Sequence, residues 1–176
     1  MTRARSRTKL PYLAVALAIA FASLAVLQVG SWFVYGRDRL LRDLPRMARR
    51  DLVLRYGEDG GGPPAFGDFV LMQEDYDHLD PDVIRGLRAT FREFGLRLHS
   101  EANLAPPCTV NRSGGGNLEC SECYLFLFEV TQNTPLLGRV RTDHFRTGSA
   151  FVAYSHRRVW LFGMWIPLSD RFAGIG

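Results

Sequence analysis

The chain has 176 residues, a formal charge of +4 and three cysteines. Four of its 22 basic residues, Arg3, Arg5, Arg7 and Lys9, precede residue 10, and the other 18 balance all 18 acids. The part beyond residue 35 is therefore neutral, which argues against nucleic-acid binding, where a basic surplus supplies the affinity.

After the basic tail, residues 1–10, the stretch Pro11–Tyr35 carries no charge. As a helix it would run about 37 Å, enough to cross a hydrocarbon core of roughly 30 Å with some tilt. Ser23, Gln28 and Ser31 are its only strongly polar members, and Trp32 and Tyr35 fall where amphipathic rings suit a headgroup layer. A cleaved signal peptide starts similarly, but its apolar core is usually about 7–15 residues long and is followed by small residues at the cleavage site. The reading is a single-pass transmembrane signal anchor. Counting Lys and Arg alone places the C-terminal flank inside, because Arg37, Arg39, Arg42, Arg46, Arg49 and Arg50 outnumber the tail's four bases. A short charged tail and the cysteines point the other way. We expect a cell (inner) membrane location with the domain extracytoplasmic.

Residues 36–56 predict a basic juxtamembrane amphipathic helix. Leu40, Leu41, Leu44, Met47, Ala48 and Leu52 recur at spacings of three and four, with most arginines opposite, and Pro45 should kink or restart it. The six arginines from Arg37 to Arg50 could meet anionic lipid while the leucines dip in, or the leucines could pack on the domain that follows. Residues 57–68 read as a Gly/Pro linker; the glycine triplet lacks the Lys-Ser/Thr and preceding strand of a phosphate-binding loop.

Residues 69–176 read as a small α+β domain. Phe69–Gln73 suggests a strand. The acids around His78 do not match a calcium loop, and Asp80, Pro81 and Asp82 read instead as a helix start. The helix Pro81–Phe94 carries the stripe Val83, Ile84, Leu87, Phe91 and Phe94, with Gly95 as its cap. Leu96–Ser100 alternates as a strand. From Tyr124 the pattern is β, with Tyr124–Val130, Gly138–Phe145, Ser149–Ser155 and Arg158–Met164 as strands and hairpin turns at Thr147-Gly148 and His156-Arg157. Pairing across the second turn sets Phe151 opposite Phe162 and Ala153 opposite Trp160. The expected fold is α+β, with an antiparallel four- to five-stranded C-terminal sheet packed on one or two helices. Both sheet faces are apolar, which makes Phe126, Phe128, Tyr154, Trp160 and Trp165 candidates to face a partner.

Cys108, Cys120 and Cys123 allow a disulfide across the Gly114–Gly116 loop, leaving one thiol over. With His99 they could instead hold zinc, although only one Cys-x-x-Cys is present, or Cys120 and Cys123 could act as a redox pair. Asn111-Arg112-Ser113 matches the glycosylation sequon. His144 beside Asp143 and His156 near Ser155 are the catalytic suspects, but neighbours in a strand point to opposite faces and no nucleophile motif is present, so a structural role is expected for each histidine. The outline, an apolar helix before an antiparallel sheet with a cysteine loop, resembles that of pilin-like subunits, without the acidic residue those carry in the apolar segment. No cofactor is implied and no small-molecule substrate is identifiable. The expected role is binding, as an accessory or assembly subunit of a membrane complex alongside a protein partner or a second copy. A membrane-tethered thiol redox or metal-binding domain is the alternative.

Overall fold

The uncharged stretch forms most of one long helix, α1, spanning Lys9–Arg42 in the computed structural model, which describes residues 9–57, 67–104, 109–112, 118–146 and 150–175. Its segment Tyr12–Gly36 is long and apolar enough to cross a membrane, and only 6% of its most apolar window is buried against the rest of the chain. The helix breaks at Asp43 and restarts as α2, Leu44–Tyr56, with Pro45 in its first turn. The cause is local, since proline has no amide hydrogen to give and suits the start of a helix. Leu40, Leu44, Met47, Ala48 and Leu52 are completely buried, so this stripe faces the domain core rather than lipid.

The sheet has six strands in the order β2-β1-β5-β6-β7-β8. These are β1, Asp68–Leu71; β2, Arg97–Ser100; β5, Tyr124–Asn133; β6, Leu137–Arg146; β7, Ala150–Leu161; and β8, Met164–Ile175. A separate two-stranded ladder joins β3, Thr109–Arg112, to β4, Leu118–Ser121. The sheet is mixed, which corrects the expectation of four or five antiparallel strands: β1 runs parallel to both β2 and β5. The link from β1 to β2 carries a short helix, α3, Gln73–His78, and then α4, Pro81–Glu93. A helical crossover of this kind is what parallel neighbours require. α4 starts as its sequence indicates, with the Asp80 carboxylate accepting from the Asp82 amide at 2.8 Å, and Gly95 follows it at φ +72°. Gly86 lets α4 approach α2 closely, since a Cβ there would lie 2.9 Å from the Pro45 ring.

The second hairpin also differs from expectation. β7 continues through His156 and Arg157, and the turn lies at Phe162 and Gly163, with φ +43° and +96°. Phe151 therefore pairs with Phe145, and Trp160 with Trp165. One sheet face is covered by α2, α4 and the end of α1, where Phe69, Leu87, Phe91, Phe126 and Val140 meet the α2 stripe. On the other face Val70, Met72, Cys123 and Leu125 form a smaller cluster against Leu104 and Val110. The linker residues 58–66, the Gly114–Gly116 loop, Ser113 of the sequon and the Thr147-Gly148 turn lie outside the described residues.

Candidate functional site

Where α2 crosses the sheet, it sets an aspartate into its own leucine stripe. Asp51 is fully buried, and opposite it stand Thr142 and His144 from β6, His156 and Arg158 from β7, and Asp170 from β8. Strand alternation places these side chains on one face, and the register brings His156 beside Asp170. Thr142 donates to Asp51 Oδ2 at 2.5 Å. His156 Nε2 lies 3.1 Å from Asp51 Oδ1, and its Nδ1 lies 2.9 Å from Asp170 Oδ1. Arg158, almost wholly buried, donates from Nε to Asp43 Oδ2 at 2.8 Å and from Nη1 to Asp170 Oδ1 at 2.6 Å. A chain of charges thus runs from the α1–α2 break, through the sheet, to the middle of α2.

Burial alone would push the His156 pKa down, but the hydrogen bonds and charges of Asp51 and Asp170 outweigh it and raise the pKa above the usual histidine value. Burial also tends to raise Asp170, yet Arg158 and His156 hold its carboxyl below the usual range. Asp51 is pushed up by burial, against the pull of His156 and Thr142. His144 differs. Its ring sits among Phe69, Phe126 and Tyr154 at 5.5–5.6 Å, and neither of its nitrogens has a hydrogen-bond partner. Burial, then the Arg55 and His156 charges, lower its pKa to about 3, so it is neutral.

Thr142, His156 and Asp170 have the hydroxyl–imidazole–carboxylate order of a hydrolytic triad, the Thr142 oxygen lying 3.1 Å from His156 Nε2. Two features keep them from acting as one. Thr142 gives its proton to Asp51 rather than to His156, and the two carboxylates beside His156 favour its protonated ring, which has no lone pair to take another proton. Thr142 and His156 are also closed to solvent. The chemistry available here is a charge-paired clamp between helix and sheet.

Of the residues singled out from the sequence, His144 and His156 lie in this cluster, and the others lie elsewhere. His99 is occupied across the β1–β2 pair, its Nε2 2.7 Å from Asp68 Oδ1, where Arg97 also donates at 2.7 Å. Cys123 is fully buried and is not a free thiol; Cys108 and the Cys120 side chain lie outside what is described. Among the described residues no three His, Cys, Asp or Glu groups converge to hold a metal. Phe126, Tyr154 and Trp160 are buried, and Phe128 and Trp165 pack against the same core, so α1, α2 and α4 cover the face proposed for a partner. Arg42 pairs with Asp80, Arg46 with Asp43 and Arg49 with Glu93, while Arg50 is exposed and the Arg37 side chain is not described. Arg39 donates to the Gly163 carbonyl. An open cleft of about 600 Å³ along α4 is lined by Tyr76, Ile84, Arg85, Arg88 and Arg92, but Arg85 is paired with Asp82 and Arg88 lies over the Tyr76 ring.

The sequence marks His144 and His156 but not the carboxylates and arginine that meet them, though two signals for the clamp exist. Asp51 interrupts an otherwise apolar stripe three residues after Ala48, and His156 and Arg158 continue the inward parity of Tyr154. Compared with known protein families, characterised proteins and solved structures, the chain matches none.

The two buried histidines should respond oppositely to replacement. In His144→Phe the ring volume is kept and two unpaired nitrogens are removed, so the full chain in mild detergent should melt higher than wild type. Wild-type His144 binds a proton readily only when unfolded, so its penalty grows as pH falls below about 6.5 and reaches roughly 2–3 kcal/mol at pH 4.5. The advantage of the variant should grow over that same interval. His156→Phe leaves the buried Asp51 without its cation, while Asp170 keeps Arg158, and should cost about 3–5 kcal/mol. Thermal unfolding followed by circular dichroism from pH 4.5 to 8 distinguishes these outcomes; a stabilising His156→Phe would contradict the clamp.

Proposed function

We propose that the chain is a single-pass membrane protein whose α+β domain works by binding, as an accessory or assembly subunit of a membrane complex. The observation that carries this reading is the division of α1. The side chains from Tyr12 to Leu27 are exposed, whereas from Gln28 onward the helix is bonded to the sheet and its turns. A bare apolar helix rigidly joined to a folded domain suits a part that positions a surface at the bilayer. The locked state of the Thr142–His156–Asp170 group supports a binding role over a hydrolytic one.

The domain is placed on the extracytoplasmic side in this reading. The short basic tail suits a cytoplasmic location, and Cys123, which is not a free thiol, suits an oxidising compartment for the domain. Its sulfur partner is then Cys108 or Cys120, the only other cysteines in the chain. Arg39 meets the headgroup layer, while Arg42, Arg46 and Arg49 serve mainly to pair with acids of the domain.

Two experiments test these points. Alkaline carbonate should leave the full chain in the membrane pellet, and in mild detergent it should migrate with a fixed mass above that of one copy. Release by carbonate, or a lone monomer in detergent, contradicts the reading. Alkylating the denatured, unreduced chain should modify one of the three cysteines; modification of all three would exclude the bridge.

A further inference from the structure

We propose that the end of the sheet bearing the β5–β6 and β7–β8 turns is set into the lipid surface beside α1, so that the domain holds the bilayer at two places. This rests on α1 spanning the membrane.

Contacts along the helices fix the direction of the strands. Gln28 donates to the carbonyls of Pro135 and Trp160 and accepts from the Phe162 amide. Ser31 accepts from the Trp160 indole, and Trp32 donates to Asn133. Further along, Asp43 meets Arg158 and Asp51 meets His156. The residues of β7 are therefore met in reverse order as the helices leave the membrane, so the tip at Phe162 points back along α1 towards the bilayer. From Lys9 to Gln28 the helix rises about 28 Å, close to the roughly 30 Å of the hydrocarbon core. The turns accordingly lie at the hydrocarbon edge and in the headgroup layer above it.

Their composition fits that depth. Neither Thr131–Gly138 nor Val159–Ser169 contains a charged residue. Leu136, Phe162 and Met164 are more than 60% exposed, and Leu137 and Leu161 are exposed beside them. Phe162 occupies a left-handed position at φ +43°, where a hairpin turn ordinarily takes Asn, Asp or Gly. Keeping a bulky ring there is strained, and insertion into lipid would offset that cost. Polar groups at this level are provided for. The Gln28 amide is bonded to three backbone groups of the turns, which removes the penalty for an unpaired amide at the hydrocarbon edge. Arg39 reaches back over the Tyr35 ring, 4.9 Å away, to the Gly163 carbonyl, and so places its cation at headgroup height.

Hydroxyl-radical footprinting tests this on the full chain in nanodiscs of phosphatidylcholine and phosphatidylglycerol holding one copy each. Phe162 and Phe172 have the same side chain and similar exposure, 62% and 54%, but Phe172 pairs with Tyr154, well up the sheet from the turn. Phe162 should oxidise at least about fivefold more slowly than Phe172 if lipid covers it, with Met164 protected alongside. Equal rates at the two rings, with Phe21 in α1 protected, would overturn the inference and leave the membrane span standing. Oxidation of Phe21 as fast as Phe172 would remove both. Protection of Phe162 only in discs loaded with two copies would assign the surface to a second copy and overturn the lipid assignment.

Discussion

On the proposal that α1 spans a bilayer, the helix must exchange one apolar surrounding for another without showing its stripe to water, and that constraint accounts for how it joins the domain. α1 meets it by never becoming a free tether. Gln28, inside the uncharged stretch, is already bonded to both hairpin turns, and Trp165 donates to the Gly36 carbonyl at 2.7 Å two turns later. By Leu40 the helix is in the core, packed where Gly138 leaves room for its methyl group. The break at Asp43 then redirects the chain over the sheet, and the Asp43 carboxylate holds Arg158 there. The exposed apolar segment before Gln28 and the buried segment at Leu40 are joined by about three turns of continuous helix.

The buried charges extend the same connection into the domain. A charge in an apolar core is costly unless paired, and a pair contributes little over an apolar substitute. What the Asp43–Arg158–Asp170–His156–Asp51 chain supplies is register. Each member comes from a different strand or helix position, and a shift of one residue in β7 or β8 would turn its side chain to the opposite face. His144 sets the contrast: it lies on the same face without a hydrogen bond, its Nε2 3.9 Å from Asp51 Oδ2, and is neutral among aromatic rings. Nothing in the structure explains why an imidazole rather than a phenyl ring stands there.

Legibility from the sequence followed the range of the interactions. The Asp80–Pro81 start, the α4 stripe and the Gly95 stop are local chemistry, and all three appear in the structure. The Pro45 restart is equally local. The parallel pairing of β1 depends on segments Asp68–Leu71, Arg97–Ser100 and Tyr124–Phe126 meeting from far apart, and no short pattern encodes that. His156-Arg157 resembled a turn because polar residues in a strand usually mark its end; here His156 and Arg158 point inward to carboxylates that the sequence lists far away. β8 was hidden because Pro167 and three polar or charged residues, Ser169, Asp170 and Arg171, interrupt its apolar run. As an edge strand it tolerates the proline, which sits beside an irregularity in the pairing with β7. The face first assigned to a partner is the one that α2 and α4 cover, because the arginine-rich helix turned its leucines to the domain.

The central claim is that α1 and the domain form one rigid unit through the segment Gly36–Leu44. Amide hydrogen exchange on the full chain in lipid nanodiscs tests it most directly. The account predicts that amides 37–42, which lie beyond the uncharged stretch, are protected to the same extent as those in the middle of β7. Exchange of that segment within seconds, while β7 stays protected, would mean a domain on a loose tether and would contradict the account.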